Sequence, residues 1–287
     1  VTALPFRILP GADGLRLRTF VWGPEAGPRV LLLHGFPESG QAWAPVAAQL
    51  AARGFAVFAP DLRGYAGSDR PAERGAYALP RLGADVAALV GALGGVRLLA
   101  GHDWGGAVAW WVAAQQPGLA PQVAVLNCAH PAVLREAAFS DLQQLRRSWY
   151  VLAFQAPGLA EALLAAGGFR ALKQALVGSA RPGTFGPAEL AALVGDWERP
   201  GALRAMLAYY REAFQAPPDW GAAPIPGPFT LLWGAQDHVF LPRLAAESLA
   251  RTAEGRLVSF PGLTHWLHRE DPAAVAAALA ACAGPPA

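Results

Sequence analysis

Residues Arg97-Leu-Leu-Ala-Gly-His-Asp-Trp-Gly-Gly-Ala-Val108 decide how this chain is read. The apolar start reads as a buried strand, the glycine-flanked centre as a tight corner, and the continuation past Trp104 as a helix. Such a strand-to-helix corner is a nucleophile elbow. Small neighbours are needed there because the backbone packs closely, and the residue at the tip is held above the amino end of the helix. In the G-x-S-x-G form the tip is serine; here Asp103 takes that place, with Gly101, Gly105 and Gly106 as the small neighbours. Amides at the start of the helix would face the group that is attacked. The plainer role for Asp103 is to cap the helix starting near Trp104, which aspartate also does well.

On either side of the corner, short apolar runs alternate with longer Ala/Leu-rich stretches, the pattern of an α/β protein with a mostly parallel sheet covered by helices on both faces. Strands are predicted at Leu15 to Trp22, Val30 to Leu33, Ala56 to Ala59, Arg97 to Ala100, Val123 to Asn127, Thr230 to Trp233 and Arg256 to Phe260. Most are apolar throughout, as strands buried on both faces are. Helices are predicted at Arg81 to Leu93, Trp104 to Gln115, Pro242 to Thr252 and Pro272 to Ala283. The alternation stops near residue 130. From there to Pro226 only helical stretches follow one another, at Asp141 to Phe154, Glu161 to Val177, Pro187 to Trp197 and Gly201 to Phe214. The expected organisation is a core of 1–130 and 227–287 with a helical cap of 131–226 inserted between strands. The Pro-rich link from Pro217 to Pro228 returns the chain to the sheet.

The 287 residues are 54 % hydrophobic and 15 % charged, the opposite of a disordered composition. Net charge is only +2, and the one adjacent basic pair in the cap, Arg146-Arg147, is no footprint for nucleic acid. Ala273 to Ala283, the longest apolar tract near an end, is short of the roughly 18 residues a membrane span needs. Val1 to Pro10 lacks the charged start and apolar middle of a secretory signal. Cys128 and Cys282 lie in apolar stretches and read as buried thiols, consistent with a reducing, cytoplasmic setting. Monomer and homodimer are both open.

Three further segments carry chemistry. Leu31-Leu-Leu-His-Gly-Phe-Pro37 ends a strand in a glycine turn that leaves the Phe36 N–H free to form, with that of Trp104, an oxyanion hole. Leu231-Leu-Trp-Gly-Ala-Gln-Asp237 and Phe260-Pro-Gly-Leu-Thr-His265 each end a strand in a loop bearing an ionisable group. The order Asp103, Asp237, His265 is that of nucleophile, acid and base in a hydrolase triad. Asp237 would accept from one ring nitrogen of His265 and leave the other to activate water. Asn127-Cys128 at the end of the preceding strand offers no carboxylate to compete with Asp237. His34, His102, His130 and His238 read as structural, and His265 with His268 shows no carboxylate or Cys framework for a metal.

Aspartate at the tip decides the reaction class. A serine alkylated by an sp³ carbon would give an ether that triad chemistry cannot break. Aspartate gives an ester whose carbonyl belongs to the protein, and water activated by His265 can cleave it. The leaving group is then an epoxide oxygen or a halide.

Through His34-Gly-Phe-Pro37, Gly101-His-Asp-Trp-Gly-Gly106, Asp237 and His265-Trp266, the chain resembles the epoxide hydrolases of the α/β-hydrolase superfamily. The resemblance implies the α/β-hydrolase fold, hydrolysis of a small epoxide with water as the only co-substrate and no cofactor, and two cap tyrosines that donate to the epoxide oxygen. Tyr150-Val-Leu-Ala-Phe-Gln-Ala-Pro-Gly158 and Ala208-Tyr-Tyr-Arg211 match the cap pattern and point to Tyr150 and Tyr210, with Trp149 and Tyr209 as the adjacent alternatives. A phenol with a pKa near ~10 remains a donor at neutral pH, as a departing alkoxide requires. Haloalkane dehalogenases share the Asp-Trp corner but typically have Asn where Phe36 stands. Fluoroacetate dehalogenases typically have Arg where Trp104 stands. Both departures favour the epoxide; the alternative, a halide pocket, would be lined by Phe169, Trp197 or Trp220.

Overall fold

The computed structural model describes residues 4–73 and 75–285, so the first three residues of the Val1 to Pro10 segment lie outside it. Eight strands form one sheet: β1 (Phe6–Pro10), β2 (Arg16–Trp22), β3 (Arg29–Leu33), β4 (Ala56–Pro60), β5 (Leu98–His102), β6 (Gln122–Leu126), β7 (Ile225–Gly234) and β8 (Thr252–Phe260). Their order is β1-β2-β4-β3-β5-β6-β7-β8. Pairing is antiparallel from β1 to β2 and from β2 to β4, and parallel elsewhere.

The helices are α1 (Ala44–Ala52), α2 (Leu79–Ala92), α3 (Trp104–Gln115), α4 (Pro131–Ser140), α5 (Leu142–Arg147), α6 (Trp149–Ala153), α7 (Leu159–Ser179), α8 (Pro187–Trp197), α9 (Ala202–Gln215), α10 (Arg243–Leu249), α11 (Leu267–Glu270) and α12 (Pro272–Ala283). Strand side chains alternate in direction, so a central strand feeds two cores. Leu31 and Leu33 of β3 join one that holds α2, α3 and α10; Val30 and Leu32 join the other, with α1, α11 and α12. α4 to α9 follow one another between β6 and β7. Phe154, Phe169, Leu172 and Tyr209 of this insertion belong to the same buried cluster as Leu31 and Leu33. The insertion therefore lies on the sheet without a separate core.

The predicted strands and the hydrolase-type sheet are present, with five differences. β1 has no counterpart in the prediction: it is a largely exposed edge strand ending in Pro10, so it lacks the apolar run that marks a buried strand. α1 is also an addition. The stretch 141–154 is two helices that part at Ser148, with Asp141 capping the start of the first. α7 spans the predicted helix but leaves helical geometry at Ala166 through Phe169, with φ of 60° at Gly167 and 65° at Gly168, a break that a glycine pair permits. The helix expected at Pro242 to Thr252 ends at Leu249, and Thr252 already starts β8.

Candidate active site

β5 runs into α3 at Asp103, whose backbone has φ 50° and ψ −117°. A non-glycine residue there is strained by roughly 1–3 kcal/mol and is held by its surroundings. The three elbow glycines provide that hold. A Cβ on Gly101 would lie 2.1 Å from the Gly105 carbonyl oxygen, one on Gly105 2.3 Å from that of Leu33, and one on Gly106 2.6 Å from the Cys128 Cβ. Gly35 is needed equally, since its Cβ would lie 2.4 Å from that of Asp103. The turn after β3 can thus press against the tip. There the Phe36 N–H donates to Asp103 Oδ1 at 2.8 Å, and the Trp104 N–H also reaches the carboxylate. The Phe36-Pro37 peptide is cis.

His265 follows β8 and places Nε2 3.8 Å from Asp103 Oδ2, while its Nδ1 stands 2.9 Å from Asp237 Oδ2. Asp237, on the loop after β7, is buried, and its Oδ1 accepts from the Val239 N–H at 2.5 Å and the Phe240 N–H at 3.0 Å. Burial raises the Asp237 pKa, but His265, Asn127 and the Phe240 amide overcome it and hold the carboxyl below its usual range. Burial disfavours the imidazolium of His265, yet Asp237, with help from Asp103 and Glu38, leaves its pKa above the ordinary histidine value. Asp103 is pushed up by burial, opposed by His265 and the two amides. The carboxylate, imidazole and two N–H donors expected from sequence are therefore brought together.

Tyr150 and Tyr210 come from α6 and α9, with ring centroids 5.9 Å apart. Tyr210 packs edge-on against Phe36 at 5.3 Å and at 90° to Trp104 at 5.0 Å, which seats it beside the carboxylate. Burial and the charge of Asp103 push both phenols above their ordinary pKa, so both keep their protons near neutrality. The two tyrosine-bearing segments are tied together: Gln155 Nε2 donates to the Tyr210 carbonyl at 3.3 Å, and Arg211 Nε to that of Phe154 at 2.8 Å. The adjacent alternatives lie elsewhere. Tyr209 donates its hydroxyl to the Arg63 carbonyl at 2.8 Å, and Trp149 is 65 % exposed. The Trp197 indole N–H is spent on the Pro37 carbonyl at 2.7 Å, Phe169 packs on Trp197, and Trp220 packs against Trp111 and His130.

Other side chains at the site carried no sequence signal. Asn127, at φ 36°, donates Nδ2 to Asp237 Oδ2 at 2.5 Å and accepts from the Gly234 N–H at 2.7 Å. It supplies no carboxylate, as expected, but it fixes the one that Asp237 presents. From α5, Arg147 donates to the Asp237 carbonyl at 2.8 Å and Gln144 to that of Val239 at 3.0 Å, so the insertion also braces the acid loop. In sequence His265 with His268 shows no carboxylate framework for a metal, but the fold sets Glu38 Oε2 3.0 Å from His268 Nε2, from a segment far away in sequence. Glu38, His102 and His268 keep their ligating atoms within 4.8 Å of one another. His34 accepts from the Leu62 N–H, His130 caps α4, and His238 is exposed. Both cysteines are buried and unpaired. Among the described residues, no helix is long and apolar enough to cross a membrane.

Residues 28–272 match a family model described as alpha/beta hydrolase fold. The chain belongs to the α/β-hydrolase family. Among its relatives, mouse epoxide hydrolase 3 is 34 % identical over 266 residues, 91 % of this chain and 72 % of the mouse protein. The AB hydrolase superfamily protein YfhM of Bacillus subtilis is 33 % identical over 92 % of both chains. A solved epoxide hydrolase from metagenomes of hot environments superposes with a TM-score of 0.85 at 28 % identity, covering 99 % of each chain. The family resemblance drawn from the motifs thus holds over nearly the whole sequence.

Proposed function

We propose that the protein hydrolyses a small epoxide to a vicinal diol through a covalent ester on Asp103. Oδ1 of Asp103 is held by the Phe36 amide, which leaves Oδ2 as the attacking oxygen. Attack on an epoxide carbon forms the Oδ2–C bond and breaks the ring C–O bond. The departing alkoxide takes a proton from Tyr150 or Tyr210, with the other phenol donating a hydrogen bond. His265 then removes a proton from water as the water adds to Cγ of the ester. Negative charge on Oδ1 is met by the Phe36 and Trp104 amides. Collapse expels the diol oxygen, which takes the proton from His265; the regenerated Asp103 carboxyl gives up its proton to solvent, and solvent reprotonates the phenolate.

The 3.8 Å between His265 Nε2 and Asp103 Oδ2 supports this division of labour, because the base is not locked to the nucleophile and is free to hold water. Each step is served by side chains, amides and water, without a cofactor. In this reading 131–226 is a cap that supplies the proton donors and 1–130 with 227–287 is the catalytic core. What supports the choice of substrate is the placement of two phenols, Tyr150 and Tyr210, next to the Phe36 and Trp104 side chains of the aspartate corner, with burial favouring their protonated forms. A halide needs no proton, whereas an alkoxide does. The test is a paired assay of diol formation from aryl and alkyl epoxides and halide release from matching haloalkanes, with Asp103→Ala as blank. Diol without halide is expected; halide without diol assigns the protein to dehalogenation.

A further inference from the structure

We propose that Glu38 is a positioning residue that locks the turn carrying the Phe36 amide to the loop carrying His265, with His102 completing the lock at the base's own carbonyl. Glu38 lies two residues beyond Phe36 and is fully buried. Its Oε1 takes the Arg269 guanidinium, and its Oε2 stands 3.0 Å from His268 Nε2. Both partners follow His265 within four residues, on α11. His102, next to Asp103, sets Nε2 2.9 Å from the His265 carbonyl oxygen. That contact places a proton on Nε2 and makes Nδ1 a bare acceptor, which points toward Glu38 Oε2 at 3.8 Å and has no donor.

The His102 donor is therefore aimed by packing and not by Glu38. Its ring lies 4.7 Å from that of His265 and 4.3 Å from that of His268. The oxyanion turn, the nucleophile corner and the base loop meet in this one buried cluster. Separating them would leave the Glu38 charge unpaired in the interior, a large cost. A divalent cation is the other occupant these side chains suggest, but coordination would displace the His268 contact and place a second positive charge beside Arg269. The groups facing Glu38 are His102, His268 and Arg269, and Arg269 also pairs with Glu189 at 2.9 Å. Burial pushes the Glu38 carboxyl up, but the Arg269 guanidinium, with the contact to His268, holds it well below the usual carboxylate range.

The proposal rests on the two-step reaction above for its kinetic arm only. In Glu38→Gln, hydrolysis of the alkyl-enzyme should slow by about tenfold to a hundredfold, the scale of a small misplacement, and alkylation by clearly less. The His265 imidazolium loses a supporting negative charge, so its titration midpoint, followed by NMR without substrate, should move to lower pH. A folded Glu38→Gln protein with an unmoved midpoint and an unchanged ratio of the two steps overturns the proposal. Should that variant fail to fold, the His102 pair decides: His102→Leu should slow hydrolysis and His102→Gln, which can still donate to the His265 carbonyl, should restore most of it. Equal rates in the two variants overturn the proposal. Absence of any alkyl-enzyme in the unmutated protein defeats the proposed reaction instead, and the NMR arm still reads the lock.

Discussion

Replacing Tyr150 and Tyr210 with Phe, singly and together, perturbs the step that separates epoxide opening from halide displacement. Each substitution removes one oxygen and keeps the ring. The ring contacts of Tyr210 with Phe36 at 5.3 Å, Phe154 at 5.0 Å and Trp104 at 5.0 Å therefore survive, and losing the hydroxyl contact with the Trp104 side chain should cost no more than about 1.5 kcal/mol of folded stability. The kinetic effect is larger. A hydrogen bond to a charged oxygen contributes roughly 1.5–3 kcal/mol, which corresponds to about 10- to 150-fold in rate. In the proposed reaction both phenols serve the same alkoxide, so the remaining one covers part of a single loss, and the two effects are not additive. The double variant leaves the alkoxide among Phe36, Phe154 and Trp104 without a phenol, and alkylation should fall by about 10³-fold or more. Rapid mixing with excess epoxide, acid quench and intact-mass measurement of the alkyl-enzyme reads this step directly. A double variant that is alkylated as fast as the unmutated protein would refute the reasoning.

Three other outcomes are expected. Asn127→Leu removes the Nδ2 donor from Asp237, so the Asp237 pKa should rise and kcat should fall by roughly 10-fold or more with KM little changed, measured by steady-state diol formation. The rate of ester hydrolysis should rise with pH through a midpoint above the ordinary histidine value. His265 must be neutral to act and Asp237 favours its charged form, so a single-turnover pH profile with a midpoint below that value contradicts the assignment. Arg63→Met leaves the buried Asp85 without the partner it holds at 2.6 Å, and should cost about 3–5 kcal/mol in urea unfolding.

The parts of the site that were legible in the sequence are those fixed by local chain geometry. Asp103, Phe36, Asp237 and His265 each follow a strand, at a corner where glycine or a short loop is required, and such corners announce themselves over a few residues. Tyr150 and Tyr210 are singled out in the sequence only by the motif resemblance, because a tyrosine on a helix carries no periodic mark of any catalytic task. Asn127 and Glu38 were not legible. Their partners, Asp237 and the pair His268 and Arg269, are brought to them by the parallel crossovers of the sheet, across separations of 110 and about 230 residues. The core strands were readable for the converse reason: burial on both faces makes each a continuous apolar run, which the edge strand β1 lacks.

The central claim is a covalent ester on Asp103, and a single turnover in H₂¹⁸O with enzyme in excess tests it most directly. The oxygen added to the epoxide carbon in that turnover comes from Asp103 Oδ2, so the account predicts unlabelled diol and one ¹⁸O in the peptide that contains Asp103. Labelled diol from the first turnover, with an unlabelled Asp103 peptide, would mean that water attacks the epoxide directly and would contradict the account.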